Sequence, residues 1–129
     1  MNLKERIKIE ITLLTIKFGE VEYYKESGLI LIKNYKIPKG WNRASTDVLL
    51  TIPTGYPTAS PYAFKVSSGL RLDPDRMPTN YSEGQIALEK QWGQFSISVE
   101  EWKPTEDVVS GHNLLTFMIG VTKRLEELN

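Results

Sequence analysis

Apolar residues recur at helical spacing in the first segment of the chain, LKERIKIEITLLTIKFG. The residues at this spacing are Leu3, Ile7, Ile11, Leu14 and Phe18. Alternate residues from Ile7 to Leu13 are also apolar, which is the pattern of a strand, and residue propensities do not separate the two structures. We predict a helix that ends near Gly19.

Four short apolar segments downstream have the length and the flanking residues of strands. They are EVEYY, GLILIKNYKI, TDVLLTI and PYAFKV. The turn-forming sequence KESG separates the first two, and Pro38 and Gly40 mark a loop before the third. The crossing from the third strand to the fourth contains Pro53, Pro57 and Pro61. Because proline lacks a backbone donor and fixes φ, this crossing does not lie inside a sheet.

The last part of the chain predicts an irregular segment followed by a helix. Glycines and prolines interrupt every apolar period from Ser67 to Glu101. A helix is then expected from Thr105, as the N-cap, to Leu128. Its apolar stripe consists of Leu114, Phe117, Met118, Val121, Leu125 and Leu128. Gly111 and Gly120 lower its helix propensity and are expected to allow close packing on a sheet.

The order of these elements predicts an α+β fold. It consists of an N-terminal helix, a four-stranded antiparallel meander, a long irregular segment and a C-terminal helix packed on the sheet. The 129 residues, 40% of them hydrophobic, fit a single domain over residues 1–129.

Charge and cysteine content narrow the possible functions. Sixteen basic and sixteen acidic residues give no net charge, which argues against non-specific nucleic-acid binding. With no cysteine and one histidine, a disulfide, a thiolate site or a structural zinc site is not expected, and no cofactor is predicted. No apolar segment is long enough to span a membrane and the N-terminus lacks a signal-peptide core, so a cytoplasmic location is expected.

Two short motifs in this order of elements resemble signatures of ubiquitin-conjugating enzymes. The crossing IPTGYPTASP resembles the family's FP-x-x-YP-x-x-PP, and its matching residues are Pro53, Tyr56, Pro57 and Pro61. WKP, which ends at Pro104, resembles the W-x-P before the family's second helix. The stretch NYKIPKGWNRASTDVLLTIPTGYP is most similar to a bacterial branch that is encoded beside ubiquitin-like proteins. The resemblance implies a shortened form of the family's fold, without its last two helices.

The resemblance also locates the position of the family's catalytic cysteine. That cysteine lies in HPN-x-x-x-x-G-x-ICL, and MPTNYSEGQIAL fits this frame without gaps. The matching residues are Pro78, Gly84, Ile86 and Leu88. Met77 replaces the histidine, Thr79 the asparagine and Ala87 the cysteine. Because a thioester requires a thiolate, the resemblance implies a member without the family's nucleophile.

Hydroxyl groups near this frame are the remaining candidate nucleophiles. They belong to Tyr81, Ser82, Ser96 and Ser98. A serine needs an adjacent base, and neither serine in WGQFSISVEEW has a histidine beside it in the sequence. His112 is expected one turn into the C-terminal helix, as a surface or capping residue rather than a catalyst.

Aromatic residues around the same segment suggest either a packed flap or a binding surface. Trp92, Phe95 and Trp102 are the candidate anchors for a protein partner, because binding energy concentrates in such side chains. Tyr56 and Trp102 are expected to be buried beside the region where a catalytic cysteine would lie, with a hydrogen-bond partner for the Tyr56 hydroxyl.

Three functional hypotheses follow. In the first, the protein is catalytically inactive and binds a ubiquitin-like protein, its activating enzyme, or both. In the second, it is an active transferase that forms an ester through Ser82, Ser96, Ser98 or Tyr81. In the third, Ala87 is a substitution introduced for a natural cysteine. No nucleic-acid or membrane partner is expected under any of them.

Overall fold

The computed structural model describes all residues from 1 to 129. Its elements are α1 (Leu3–Phe18), β1 (Val21–Tyr24), β2 (Leu29–Lys36), β3 (Ser45–Thr51), β4 (Ala63–Ser67), β5 (Tyr81–Ala87), β6 (Lys90–Ser96) and α2 (Leu114–Glu126). The α+β class predicted from the sequence is confirmed, with six strands instead of four.

The first segment is a helix, as predicted. The Asn2 side chain accepts a hydrogen bond from the Glu5 backbone N–H at 2.9 Å and caps its N-terminus. Gly19 ends the helix with a φ of 90°, a conformation that glycine adopts without steric cost. Ile7 and Leu14 are buried, so the helical period rather than the alternating one describes the packed face.

All six strands form one antiparallel sheet in the order β1-β2-β3-β4-β6-β5. The meander from β1 to β4 is confirmed, but the prediction of an irregular segment from Ser67 to Glu101 is wrong. Leu88 and Glu89, both at positive φ, form a two-residue turn that joins β5 to β6. Gly84, also at positive φ, lies where the register of β5 shifts, as in a β-bulge. These residues interrupt the sequence pattern without ending the sheet.

The sheet separates two apolar clusters. The main core lies between one face of the sheet and the two helices, and its largest fully buried side chains include Phe64, Phe95, Phe117 and Leu14. The opposite face carries a small second cluster of Leu31, Leu49 and Trp92. Neither helix has the combination of length and hydrophobicity required to cross a membrane.

The C-terminal helix is shorter than predicted, because it begins at Leu114 rather than after Thr105. Asn113 and Thr116 form a reciprocal capping box there. A Cβ atom on Gly111 would lie 2.7 Å from the carbonyl oxygen of Lys103, so this glycine allows two loop backbones to approach each other closely. The expectation that Gly111 allows a helix to pack closely on the sheet is wrong. Leu128 also falls outside the helix and is partly exposed.

We expect Leu125→Ala to lower the free energy of unfolding by roughly 2–5 kcal/mol, because Leu125 is fully packed in the main core. The matched control is Ile119→Ala on the same helix, where the side chain is 57% exposed and the expected change is below about 0.5 kcal/mol. Urea denaturation measures both values. Equal losses for the two variants would contradict the orientation of α2.

Candidate functional site

The proline-rich crossing and the WKP segment meet in space. Tyr56 is 3% exposed, and its hydroxyl donates a hydrogen bond to Glu10 Oε1 at 2.6 Å, which confirms the expectation for this side chain. Trp102 is half-buried, and its indole N–H donates to the carbonyl oxygen of Pro57 at 2.7 Å. The two rings lie 6.2 Å apart, and the Tyr56–Pro57 peptide bond is cis. The crossing therefore holds the segment that leads toward α2.

A buried ion pair between Arg6 and Glu10 of α1 holds the loop that contains the WKP segment. Arg6 Nε donates to Glu10 Oε2 at 2.9 Å, and the other Arg6 nitrogens donate to the carbonyl oxygens of Thr105 and His112. Glu10 also accepts the backbone N–H of Leu114, the first residue of α2. This network joins α1 to the loop that precedes α2. Because each charge is hydrogen-bonded on several sides, both can stay buried.

This network also changes the pKa of Tyr56. Burial, reinforced by the adjacent Glu10 carboxylate, raises the pKa of Tyr56 far above its usual range. The hydroxyl therefore stays protonated at neutral pH and acts as a donor. Tyr56 has a supporting role in this site and is not an acid or base.

A cleft of about 570 Å³ lies between α2 and the segment that follows β6. The polar side chains at its lining include Asn80, Ser96, Ser98, His112, Thr116 and Lys123. Trp102 and Phe117 contribute apolar surface. The cleft thus combines polar side chains with an aromatic surface.

His112 borders this cleft but lies outside the helix, contrary to the sequence prediction. Its Nδ1 accepts the backbone N–H of Lys103 at 2.9 Å, and its own backbone N–H donates to the Lys103 carbonyl at 3.0 Å. Its ring lies 5.3 Å from that of Trp102. Nδ1 also lies 3.4 Å from the Lys103 carbonyl oxygen, but the shorter contact with the backbone N–H favours Nδ1 as the acceptor and so places the proton of the neutral ring on Nε2. That nitrogen is then a donor and has no lone pair with which to deprotonate a serine.

Arg124 closes one end of the cleft. It is buried, its guanidinium lies 4.6 Å above the Phe95 ring, and its Nη2 donates to the carbonyl oxygens of Thr79 and Asn129. Burial lowers the pKa of Arg124, which nonetheless stays charged at any physiological pH. Both Nη atoms of Arg124 donate to oxygens of the protein itself. Lys123 is the neighbouring cation that lines the cleft and forms no salt bridge.

The structure brings two of the four candidate nucleophiles to the cleft. Ser96 and Ser98 line it, and both are exposed. Ser82 is exposed on the edge strand β5 and does not line the cleft. Tyr81 packs against Phe95 with ring centroids 4.9 Å apart, and its hydroxyl is buried without a partner. Burial, followed by the nearby carboxylate of Glu83, raises the pKa of Tyr81 to about 12, which makes it a poor nucleophile at neutral pH.

The position that matches the family cysteine lies elsewhere. Ala87 ends β5 at the hairpin turn, and its carbonyl oxygen accepts the Trp92 indole N–H at 2.8 Å. It packs against the second cluster, on the sheet face opposite the main core. Met77 is mostly exposed, and Thr79 borders the cleft. The residue that aligns with the family's cysteine, Ala87, therefore does not line the cleft beside Trp102.

The three aromatic candidates for partner binding differ in exposure. Trp92 and Phe95 are completely buried, one in the second cluster and the other in the main core. A side chain contacts a partner only where it is exposed, so in this conformation both contribute to packing. Trp102 is partly exposed and lines the cleft.

Sequence reasoning did not identify Arg6, Glu10 or Lys123 as parts of the site. A signal for the first two was present, because Arg6 and Glu10 are four residues apart and flank Ile7 on the buried side of α1. Lys123 gave no signal, since a lysine near the end of a helix is usually a solvated charge.

The comparisons with known proteins agree with this architecture. The model of the family described as Prokaryotic E2 family E matches residues 11–127, which is nearly the whole chain. No curated protein and no solved structure shows a significant match to the sequence. The matched range includes the Tyr56–Pro57 crossing, the β5–β6 hairpin and α2. The chain therefore belongs to Prokaryotic E2 family E, a bacterial family of proteins like ubiquitin-conjugating enzymes.

Proposed function

We propose that this protein is a non-catalytic member of its family that binds a ubiquitin-like protein or its activating enzyme. One observation carries the proposal: the chain belongs to an E2 family and has no cysteine. The thioester by which conjugating enzymes carry their cargo requires a thiolate, and no other side chain supplies one. The ability to bind the partners of a conjugation pathway does not depend on that thiolate.

The cleft beside Trp102 is the proposed binding site for an extended carboxyl-terminal segment of the ubiquitin-like protein. Hydroxyl and amide groups on its walls can hydrogen-bond to a peptide backbone, and Trp102 offers an aromatic surface. The exposed ammonium group of Lys123 provides a partner for the terminal carboxylate, and it lies in the same lining as the carboxylates of Glu100 and Glu127, which oppose that contact. Non-covalent binding of this kind needs no general base. This agrees with the hydrogen bond that His112 Nδ1 accepts from the backbone N–H of Lys103, because that bond leaves the ring proton on Nε2.

We expect Lys123→Glu to weaken binding of a purified bacterial ubiquitin-like protein by roughly fivefold, since an exposed charge contributes up to about 1 kcal/mol. Isothermal titration calorimetry measures the affinity. Lys17→Glu is the matched control, because Lys17 is also an exposed lysine in the last turn of a helix but does not line the cleft. Equal affinities for the two variants, or no binding by the unmodified protein, would contradict the proposed binding of the ubiquitin-like protein in this cleft.

The alternative function is an ester-forming transferase, and one observation favours it: Ser96 and Ser98 both line the cleft. Each would need a base, and His112 presents a donor rather than an acceptor. The carboxylates of Glu100 and Glu127 are the other basic groups at the lining. The ester is alkali-labile, which separates this alternative from binding alone.

A further inference from the structure

A second groove lies on the sheet face that carries the small apolar cluster. It encloses about 490 Å³ where β3 and β4 lead into and out of the proline-rich crossing. The polar side chains at its lining belong to Ser27, Thr51, Thr54, Tyr62, Lys65 and Gln94. This groove is separate from the cleft beside Trp102 and shares no lining residue with it.

Lys65 is the one charged side chain in this groove. It lies in β4 directly opposite Leu49 of β3 and Gln94 of β6, and it is half-buried. No carboxylate lies within 4.0 Å of its amine. Asp47, the acid on the same face of β3, is engaged by Lys90 at 3.7 Å. Lys65 therefore has no salt-bridge partner, unlike Lys33 and Lys90.

This environment shifts the amine of Lys65 toward its neutral form, relative to a solvated lysine. Burial lowers the pKa of Lys65, and no neighbouring acid offsets the effect. In contrast, the hydrogen bond to Glu22 raises the pKa of Lys33 on the same sheet. Because only the neutral amine attacks a carbonyl carbon, Lys65 has a larger reactive fraction at neutral pH than a solvated lysine.

We propose that Lys65 and this groove form an acyl-acceptor site, at which the amine takes an acyl group from a thioester or an acyl adenylate. Nζ attacks the carbonyl carbon and forms a C–N bond. The bond from that carbon to sulfur or to the phosphate oxygen then breaks, and the thiolate or AMP leaves. Nζ releases its proton to solvent, the product is an amide, and no electron transfer is involved. Thr51, Tyr62 and Gln94 line the groove and carry hydrogen-bond donors.

The identity of the donor rests on the proposed function, whereas the reactivity of Lys65 does not. In a ubiquitin-like pathway, the activated carboxyl terminus of the ubiquitin-like protein is the acyl compound present. The protein would then receive a stable amide on Lys65 instead of carrying a transferable thioester.

The test uses a small acetyl thioester as the probe. The full chain is treated across a range of pH, and mass spectrometry measures the acetylation rate at each lysine. We expect acetylation of Lys65 at pH 7.5 to be at least about threefold faster than that of Lys36, an exposed lysine at the end of β2, and its pH profile to begin at lower pH. A Lys65 rate equal to or below that of Lys36, with the same pH profile, would overturn the proposal.

Gln94→Glu separates the effect of the groove from general reactivity. It places a carboxylate opposite Lys65 with little change in shape, so Lys65 acetylation should fall by about threefold or more while that of Lys36 stays constant. An unchanged Lys65 rate in this variant would count against the site.

With ATP, an activating enzyme and a ubiquitin-like protein, we expect an alkali-stable adduct that Lys65→Arg removes and Lys36→Arg retains. If the thioester probe labels Lys65 selectively and this adduct is absent, the acceptor site stands and the assigned pathway is contradicted.

Discussion

Glu10→Ala is expected to lower the free energy of unfolding by about 3–5 kcal/mol, the cost of leaving one member of a buried ion pair without its partner. The substitution leaves the Arg6 charge uncompensated. It also removes the acceptor for the Tyr56 hydroxyl and for the backbone N–H of Leu114. Urea denaturation followed by tryptophan fluorescence measures the change.

Glu5→Ala is the control for this measurement. Glu5 lies in the first turn of the same helix, is exposed and forms no salt bridge, so its removal should change stability by less than about 1 kcal/mol, the contribution of an exposed carboxylate at a helix N-terminus. A loss below about 1 kcal/mol for Glu10→Ala would show that the network does not hold α1 to the loop before α2.

Trp92→Ala is expected to cost about 3–5 kcal/mol of stability, because the whole side chain is buried in one cluster with Leu31 and Leu49. The variant also loses the indole hydrogen bond to Ala87 and the contact of the ring with the Lys90 ammonium. Any loss of affinity in this variant would therefore arise from unfolding of the hairpin face. Thermal and urea denaturation give the stability, and calorimetry gives the affinity.

Ile86→Ala is the control for Trp92→Ala, because Ile86 is an exposed apolar residue in the same hairpin. Its side chain is 67% exposed, so stability should change by less than about 0.5 kcal/mol. If Trp92→Ala kept full stability and still lost affinity, Trp92 would be a surface anchor after all and its burial in the structure would be contradicted.

The parts of the fold that could be predicted from the sequence are those with a strong local pattern. The helical spacing of Ile7 and Leu14, the four apolar segments and the Tyr56–Pro57 crossing all carry their signals within a few residues. The β5–β6 hairpin could not be predicted in this way. Its turn places Leu88 and Glu89 at positive φ, where glycine or asparagine is the usual choice.

The candidate site depends mainly on contacts between distant residues. Glu10 and Tyr56 are 46 positions apart, and Arg6 reaches the carbonyl oxygen of His112 across 106 positions. No periodicity relates such pairs. The start of α2 also differs from the sequence prediction. Thr105 has the residue type of an N-cap, but Asn113 is the N-cap and forms a capping box with Thr116.

The most direct test of the central claim, that this protein acts without an ester or thioester intermediate, is a reconstituted reaction with ATP, an activating enzyme and a ubiquitin-like protein. The products are separated on a denaturing gel with and without alkali. The adduct of the activating enzyme itself in the same lanes shows that activation has occurred. We expect no alkali-labile adduct on this protein, because it has no cysteine and His112 does not serve Ser96 or Ser98 as a base. An alkali-labile adduct that disappears with Ser96→Ala or Ser98→Ala would contradict the claim and establish ester chemistry.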